Sequence, residues 1–197
     1  MSNIKKAFEN GKAFIAFITC GDPNLETTAA AFMTYANVVF SYGAERFISA
    51  CKEIGIDGLI LPDLPFEEKE EFQPICKQYD VALISLIAPT SENRIAMIAK
   101  EAEGFIYLVS SLGVTGTRNE ITTDLTSIVK VIRENSNIPC AIGFGISTPE
   151  QAKKMATISD GAIVGSAIIK LLEKHGKDAP QYIGEYVKKM KSALTID

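Results

Sequence analysis

Three glycine-bearing turns carry the first chemical signal in the chain: Gly113-Val114-Thr115-Gly116-Thr117, Gly143-Phe144-Gly145-Ile146-Ser147 and Gly165-Ser166-Ala167. Each follows a run of apolar residues. Glycine at such a point lets backbone N–H groups close on an anion, and the positive end of a helix starting near Ser166 favours negative charge there. Taken singly, a glycine after a strand is a turn and nothing more. Three in succession point to a phosphate cradle, with Thr115 adding a hydroxyl on a loop able to close. Candidates for proton transfer are fewer. Asp22 in Gly21-Asp22-Pro23 and Asp63 in Leu61-Pro62-Asp63-Leu64-Pro65 follow strand-like runs. Each also reads as structural, Asp22 as a turn residue and Asp63 as a loop or cap residue before a helix of Phe66 to Tyr79. The acidic stretch Glu67 to Glu71 suits a solvated first helical turn.

Other chemistries find little support. The one histidine, His175, falls at the end of a helical run before Gly176, which leaves no His-based triad and no multi-histidine zinc site. Cys20, Cys51, Cys76 and Cys140 form no C-x-x-C pair and read as reduced thiols packed as small hydrophobes. No metal site is expected. With 24 acidic and 20 basic residues the formal net charge is −4, and no Lys/Arg run offers a surface for nucleic acid. No apolar run approaches the ~18 residues of a membrane span, and the start Met1-Ser2-Asn3-Ile4-Lys5-Lys6 has no signal-peptide character. A cytoplasmic protein of one domain, residues 1–197, is expected.

The elements that must position the glycine turns follow a repeating order. Short apolar runs, Ala13 to Thr19, Gly58 to Leu61, Val81 to Ile87, Phe105 to Ser110, Pro139 to Gly143 and Gly161 to Val164, are nearly continuous in hydrophobic residues, as strands buried on both faces of a parallel sheet are. Between them lie amphipathic helices. Leu125, Ile128, Val129 and Ile132 fall at i, i+3, i+4 and i+7, and Tyr182, Ile183, Tyr186, Val187 and Met190 repeat the pattern. Gly55 stops a helix over 44–54, and Thr148-Pro149-Glu150-Gln151 offers a cap, a proline at the first helical position and a capping-box glutamine. Strand and helix in alternation predict an α/β fold with a mostly parallel sheet. The rhythm breaks once. Only 12 residues separate Thr19 from Phe32, too few for a regular crossover helix after the Gly-Asp-Pro turn. Residues 32–37 fit either a strand, Phe32 to Tyr35, or the continuation of an alanine-rich helix through Phe32, Tyr35, Ala36, Val39 and Phe40.

Together these residues strongly resemble the α subunit of tryptophan synthase. The likeness runs in the family's order through Ala13-Phe14-Ile15-Ala16-Phe17-Ile18-Thr19-Cys20-Gly21-Asp22-Pro23, Met33-Thr34-Tyr35-Ala36-Asn37-Val38-Val39-Phe40, Leu61-Pro62-Asp63-Leu64-Pro65, Gly104 to Ser110, Gly113-Val114-Thr115-Gly116, Gly143 to Ser147 and Asp160 to Ser166. The resemblance implies a TIM (βα)8-type barrel that cleaves indole-3-glycerol phosphate to indole and glyceraldehyde 3-phosphate and passes indole to a β subunit, with no cofactor in the α subunit itself because pyridoxal phosphate belongs to that partner. It places Gly116, Gly143, Gly145, Gly165 and Ser166 on the phosphate. Phe17, Tyr35, Ile87 and Tyr107 would line the indole and glycerol pocket, with Thr115 on the closing loop.

One interval departs from the family. After Ala31 the chain runs directly into Phe32, where the family has a second strand ending in Glu-Leu-Gly-[Ile/Val]-Pro-Phe-Ser-Asp-Pro, its loop and a second helix. The chain is some 50 residues short of the ~250 typical of such barrels. The missing motif carries both family carboxylates, and acid/base groups typically supply about 10²- to 10⁴-fold each. The expectation is a truncated barrel of six or seven parallel strands, phosphate end kept and turnover lost. Its open sheet edge would favour a homo-oligomer. Loss of the loop and helix also removes part of the β-subunit contact, which argues against the heteromer.

Overall fold

The computed structural model describes residues 3–9, 11–17, 31–110, 124–143 and 145–194. Seven parallel strands form one sheet: β1 (Ala13–Ala16), β2 (Ala31–Met33), β3 (Gly58–Ile60), β4 (Ala82–Ile87), β5 (Ile106–Val109), β6 (Cys140–Gly143) and β7 (Gly161–Val164). Their order is β1-β7-β6-β5-β4-β3-β2. The sheet curls round one interior. Ile60, Ile84, Tyr107, Ala141 and Ile163 from the middle strands share a cluster on which Ile15 of β1 and Ala31 and Met33 of β2 also pack. Helix α1 (Asn3–Glu9) plugs the N-terminal end of this interior with Ile4, and its Phe8 ring lies 6.0 Å from that of Phe105. A closed barrel of this type has eight strands; among the described residues β1 and β2 each have one neighbour and stand as edges.

Outside the sheet two apolar layers cover its two arcs. Behind β4 to β7, Leu108, Ile142, Val164 and their neighbours pack on α5 (Glu92–Lys100), α6 (Leu125–Asn135), α7 (Pro149–Ile158), α8 (Ser166–His175) and α9 (Ala179–Leu194). The periodic residues Leu125, Ile128, Val129 and Ile132 are all buried there. Behind β2 to β4, Leu59, Leu61 and Leu83 pack on α2 (Ala36–Tyr42), α3 (Ala44–Glu53) and α4 (Gln73–Gln78). The capping box forms as its sequence requires: the Thr148 hydroxyl accepts from the Gln151 N–H, and the Gln151 carboxamide oxygen accepts from the Thr148 N–H.

One open alternative is resolved and one reading is corrected. Of the strand and the long helix that residues 32–37 fit, the strand forms, as Ala31–Met33, and the long helix does not. Ala31–Met33 pairs with β3 in the register Ala31↔Gly58, and the helix starts only at Ala36. A ladder on β3 and a helix cap at Tyr35 together outweigh the continuous 3.6-residue spacing. Phe66 to Tyr79 is not one helix either. A 3-10 segment covers Phe66–Glu71, and α4 begins at Gln73. Pro74 has no N–H to donate to the preceding turn, so an unbroken α-helix through it is disfavoured.

Strand β4 divides its pairing along its length. Its first half pairs with β3 and its second half, Ser85 to Ile87, with β5. Above Ile60 the chain turns away at Pro62, and a cavity of about 600 Å³ opens between the loop after β3 and the upper part of β4, lined among others by Leu64, Leu86, Lys69 and Arg94. Both cations are already paired, Lys69 with Glu101 and Arg94 with Glu67.

Candidate functional site

The C-terminal ends of β5, β6 and β7 lie side by side, and two glycines there are set by the aromatic rings beside them. A Cβ on Gly143 would stand 2.6 Å from the Tyr107 hydroxyl oxygen, and one on Gly165 would stand 2.9 Å from Cδ1 of Phe17. Any larger residue displaces a ring. Tyr107 is buried, which pushes its phenol well above the ordinary tyrosine range and keeps it a neutral hydrogen-bond donor. Phe17 is 37% exposed at the rim and its N–H donates to the Val164 carbonyl at 2.8 Å, continuing β1 along β7. Gly145 sits at φ +82°, in the region that favours glycine.

Helix α8 leaves its N-terminus open. Gly165 is the N-cap and has no side chain to accept from the first turn, while its carbonyl accepts from Ile168 and Ile169 N–H at 2.8 and 3.1 Å. By contrast α5, α6 and α7 are capped by Ser91, Asp124 and Thr148. The leading amides of a helix have no partner within it. At α8 no cap side chain competes for the N–H groups of Ser166 and Ala167, which stand with the half-buried Ser166 at the positive end of the dipole.

The structure therefore brings together Gly143, Gly145, Gly165, Ser166, Tyr107 and Phe17. Thr115, Gly116 and Asp22 lie outside the described residues. Tyr35 is 61% exposed, at the head of α2 on the open side of the sheet. Ile87 is misplaced by the sequence reading. It is fully buried in the layer between sheet and helices, beside Ile95 and Ile98, and the interior position on upper β4 belongs to Leu86. Asp63 also acts differently from its sequence role. Its Oδ1 accepts from the Ala36 N–H at 2.8 Å, so it caps α2 from another loop rather than the segment that follows it. His175 ends α8 and stacks on Tyr182 with 3.6 Å between ring centres. Cys51, Cys76 and Cys140 are buried free thiols; burial pushes Cys76 and Cys140 up to about 12. Among the described residues no Asp or Glu is buried, the buried polar side chains being Ser110 and Ser159, and no helix is long and apolar enough to cross a membrane.

A curled parallel sheet wrapped in helices, with glycine-bearing turns over its last two strands, defines a barrel of the TIM type. The model of the family described as tryptophan synthase alpha chain matches residues 30–195, and the chain belongs to that family. The alpha chain of Lacticaseibacillus casei is 48% identical over 163 residues, 83% of this chain and 61% of that protein. The alpha chain of Lactiplantibacillus plantarum is 38% identical over an alignment of 256 residues that takes in 98% of this chain and 97% of that protein. Against most of the curated relatives it resembles best, the chain spans about three fifths of their length. Among solved structures, the alpha subunit from Campylobacter jejuni superposes with a TM-score of 0.77 at 28% identity, each chain fully covered. The Pyrococcus furiosus protein, whose structure is described as that of mutual activation of the tryptophan synthase α2β2 complex, superposes with 0.73 at 28% identity, covering 82% of this chain and 66% of that one.

Proposed function

We propose that this chain keeps the phosphate end of a tryptophan synthase alpha barrel without the proton-transfer groups of the lyase. It binds indole-3-glycerol phosphate or phosphate-like anions and turns over little or none. The observation that carries the reading is the uncapped N-terminus of α8, with Gly165 and Ser166, beside the Gly143–Gly145 turn. Substrate would enter over Tyr107, Phe17 and Leu86, with Tyr35 at the rim and Thr115 and Gly116 supplying the closing loop and one further phosphate contact, as the resemblance implies.

Retro-aldol cleavage needs a proton delivered to the indole ring carbon while a base takes one from the glycerol hydroxyl. The family's two carboxylates for these steps belong to the interval absent after Ala31. The lack of any buried carboxylate among the described residues supports the same reading, and Asp63 is engaged on α2. The alignment with the Lactiplantibacillus plantarum chain is longer than this chain, which supports an internal deletion. Titration with inorganic phosphate, followed by thermal shift, should raise the unfolding temperature and lose that effect in S166D; an indole-release assay should stay at background. Indole release well above background, or no response to phosphate, overturns the proposal.

A second reading, a non-enzymatic scaffold that self-associates, is favoured by exposed Tyr35, Val38, Phe40 and Tyr42 beside the β2 edge. We propose that copies of the chain pair there in the cytoplasm and that the α2β2-type heteromer does not form, because part of its contact is missing. Sedimentation over a concentration range tests the pairing.

A further inference from the structure

The two sheet edges are not merely open; they match one another. In a parallel ladder alternate residues direct their N–H and C=O to the same neighbour. Ala13 and Phe17 donate to Asp160 and Val164 on the β7 side, so Phe14 and Ala16 direct their backbone groups away from β7. Thr34 donates to Ile60 on β3, so Ala31 and Met33 direct theirs away from β3. Among the described residues, these four on two strands of the same direction thus frame one slot in a sheet that otherwise pairs every strand on both sides. A second observation locates the missing piece. The family match begins at residue 30, immediately before β2, so the break in likeness falls at the break in the sheet.

The geometry points to a docking slot between β1 and β2 that takes a single extended segment, parallel to both edges, from another polypeptide. This rests on the reading that an internal strand is missing. The occupant has a stated chemistry: a run of about four to six residues without proline. Its side chains meet Ile15 and Met33 on the interior face and approach the layer of Phe14 and Phe32 on the other, so the run is apolar on both faces. The alignment with the Lactiplantibacillus plantarum chain runs to 256 residues against the 197 of this chain, so that relative carries an interval with no counterpart here, and the slot accepts it in trans. A second copy of this chain presents the same two edges rather than a free strand. It meets only one edge at a time and is displaced when the segment is added.

The test uses a synthetic polypeptide carrying the interval of the Lactiplantibacillus plantarum alpha chain that has no counterpart in this chain, mixed with the full 197-residue protein. Sedimentation should give a one-to-one complex in place of any self-associated species, and amide exchange at Phe14, Ala16, Ala31 and Met33 should slow by about tenfold or more, with little change at Leu108 and Ile142. Ala16→Pro and Met33→Pro remove an N–H that faces the slot and no ladder bond to β7 or β3, so each should abolish the complex; the unfolding temperature should hold in Ala16→Pro, whose side chain is exposed, and fall slightly in Met33→Pro, which also gives up interior packing. Ile15→Pro, which breaks the β7 ladder, should lower that temperature instead. The inference is overturned if the four amides are already as protected in the chain alone as those of Ile15 and Phe32, if the self-associated species persists in excess polypeptide, or if both proline variants bind as the parent does. Phosphate titration of the uncomplexed chain reports the proposed function separately, so failure of one leaves the other standing.

Discussion

The arc from β5 to β7 and the side formed by β1, β2 and α2 are built from similar apolar residues, yet they end in opposite states. In the arc every strand has two neighbours, and five helices cover the outer face with Ile106, Leu108, Ile132, Ile142 and Ile168 fully buried. On the other side strands of four and three residues have one neighbour each, and Tyr35, Val38, Phe40 and Tyr42 stand exposed around a helix that buries only Val39. Burial in a barrel is thus a property of closure as much as of composition. Gly143, Gly145 and Gly165 all belong to the closed arc.

The largest expected effect is in that arc. Leu108→Ala should cost about 2–5 kcal/mol in urea unfolding, because its surroundings cannot collapse around the cavity. Gly143→Val drives two methyls into the Tyr107 ring and should cost about 1–3 kcal/mol, removing the phosphate response as well. Asp63→Ala, which strips the cap from α2, should cost about 1 kcal/mol and leave phosphate binding intact. On the open side Phe40→Ser should move stability by no more than about 0.5 kcal/mol, yet weaken self-association in sedimentation; an equal loss of stability at Phe40 and Leu108 would erase the contrast between the two regions. The smallest effect concerns the exposed Arg94–Glu67 pair. The Arg94 guanidinium holds the Glu67 carboxyl at about 2, below its ordinary 4.5. A lowered folded-state value means the contribution is present above 4.5 and is lost as pH falls toward 2. The difference in Tm between the parent and Arg94→Ala should be slight at neutral pH and vanish across that window.

Much of this was legible in the sequence, for reasons that can be named. Gly161–Val164 was placed to the residue, since glycine and a four-residue apolar run leave little freedom, and the Thr148–Gln151 box marks its helix start by side-chain chemistry alone. The likeness to the family brought Gly143, Gly145, Gly165 and Ser166 to one end. Side-chain parity on β4 was not legible. In Ala82–Ile87 both faces are apolar, so nothing in hydropathy separates Leu86, which faces the interior, from Ile87, which faces the helices. Nor was the partner of Asp63, since a cap supplied from 27 positions away has no local signature.

The buried thiols give each region its own clock. Cys51 and Cys76 lie under the open side and Cys140 under the arc, each unreactive while its cover stays in place. In a Cys20→Ser background, native-state alkylation therefore times the opening of the two sides independently, and any event that seals the sheet will silence the first pair while leaving the rate at Cys140 as it was.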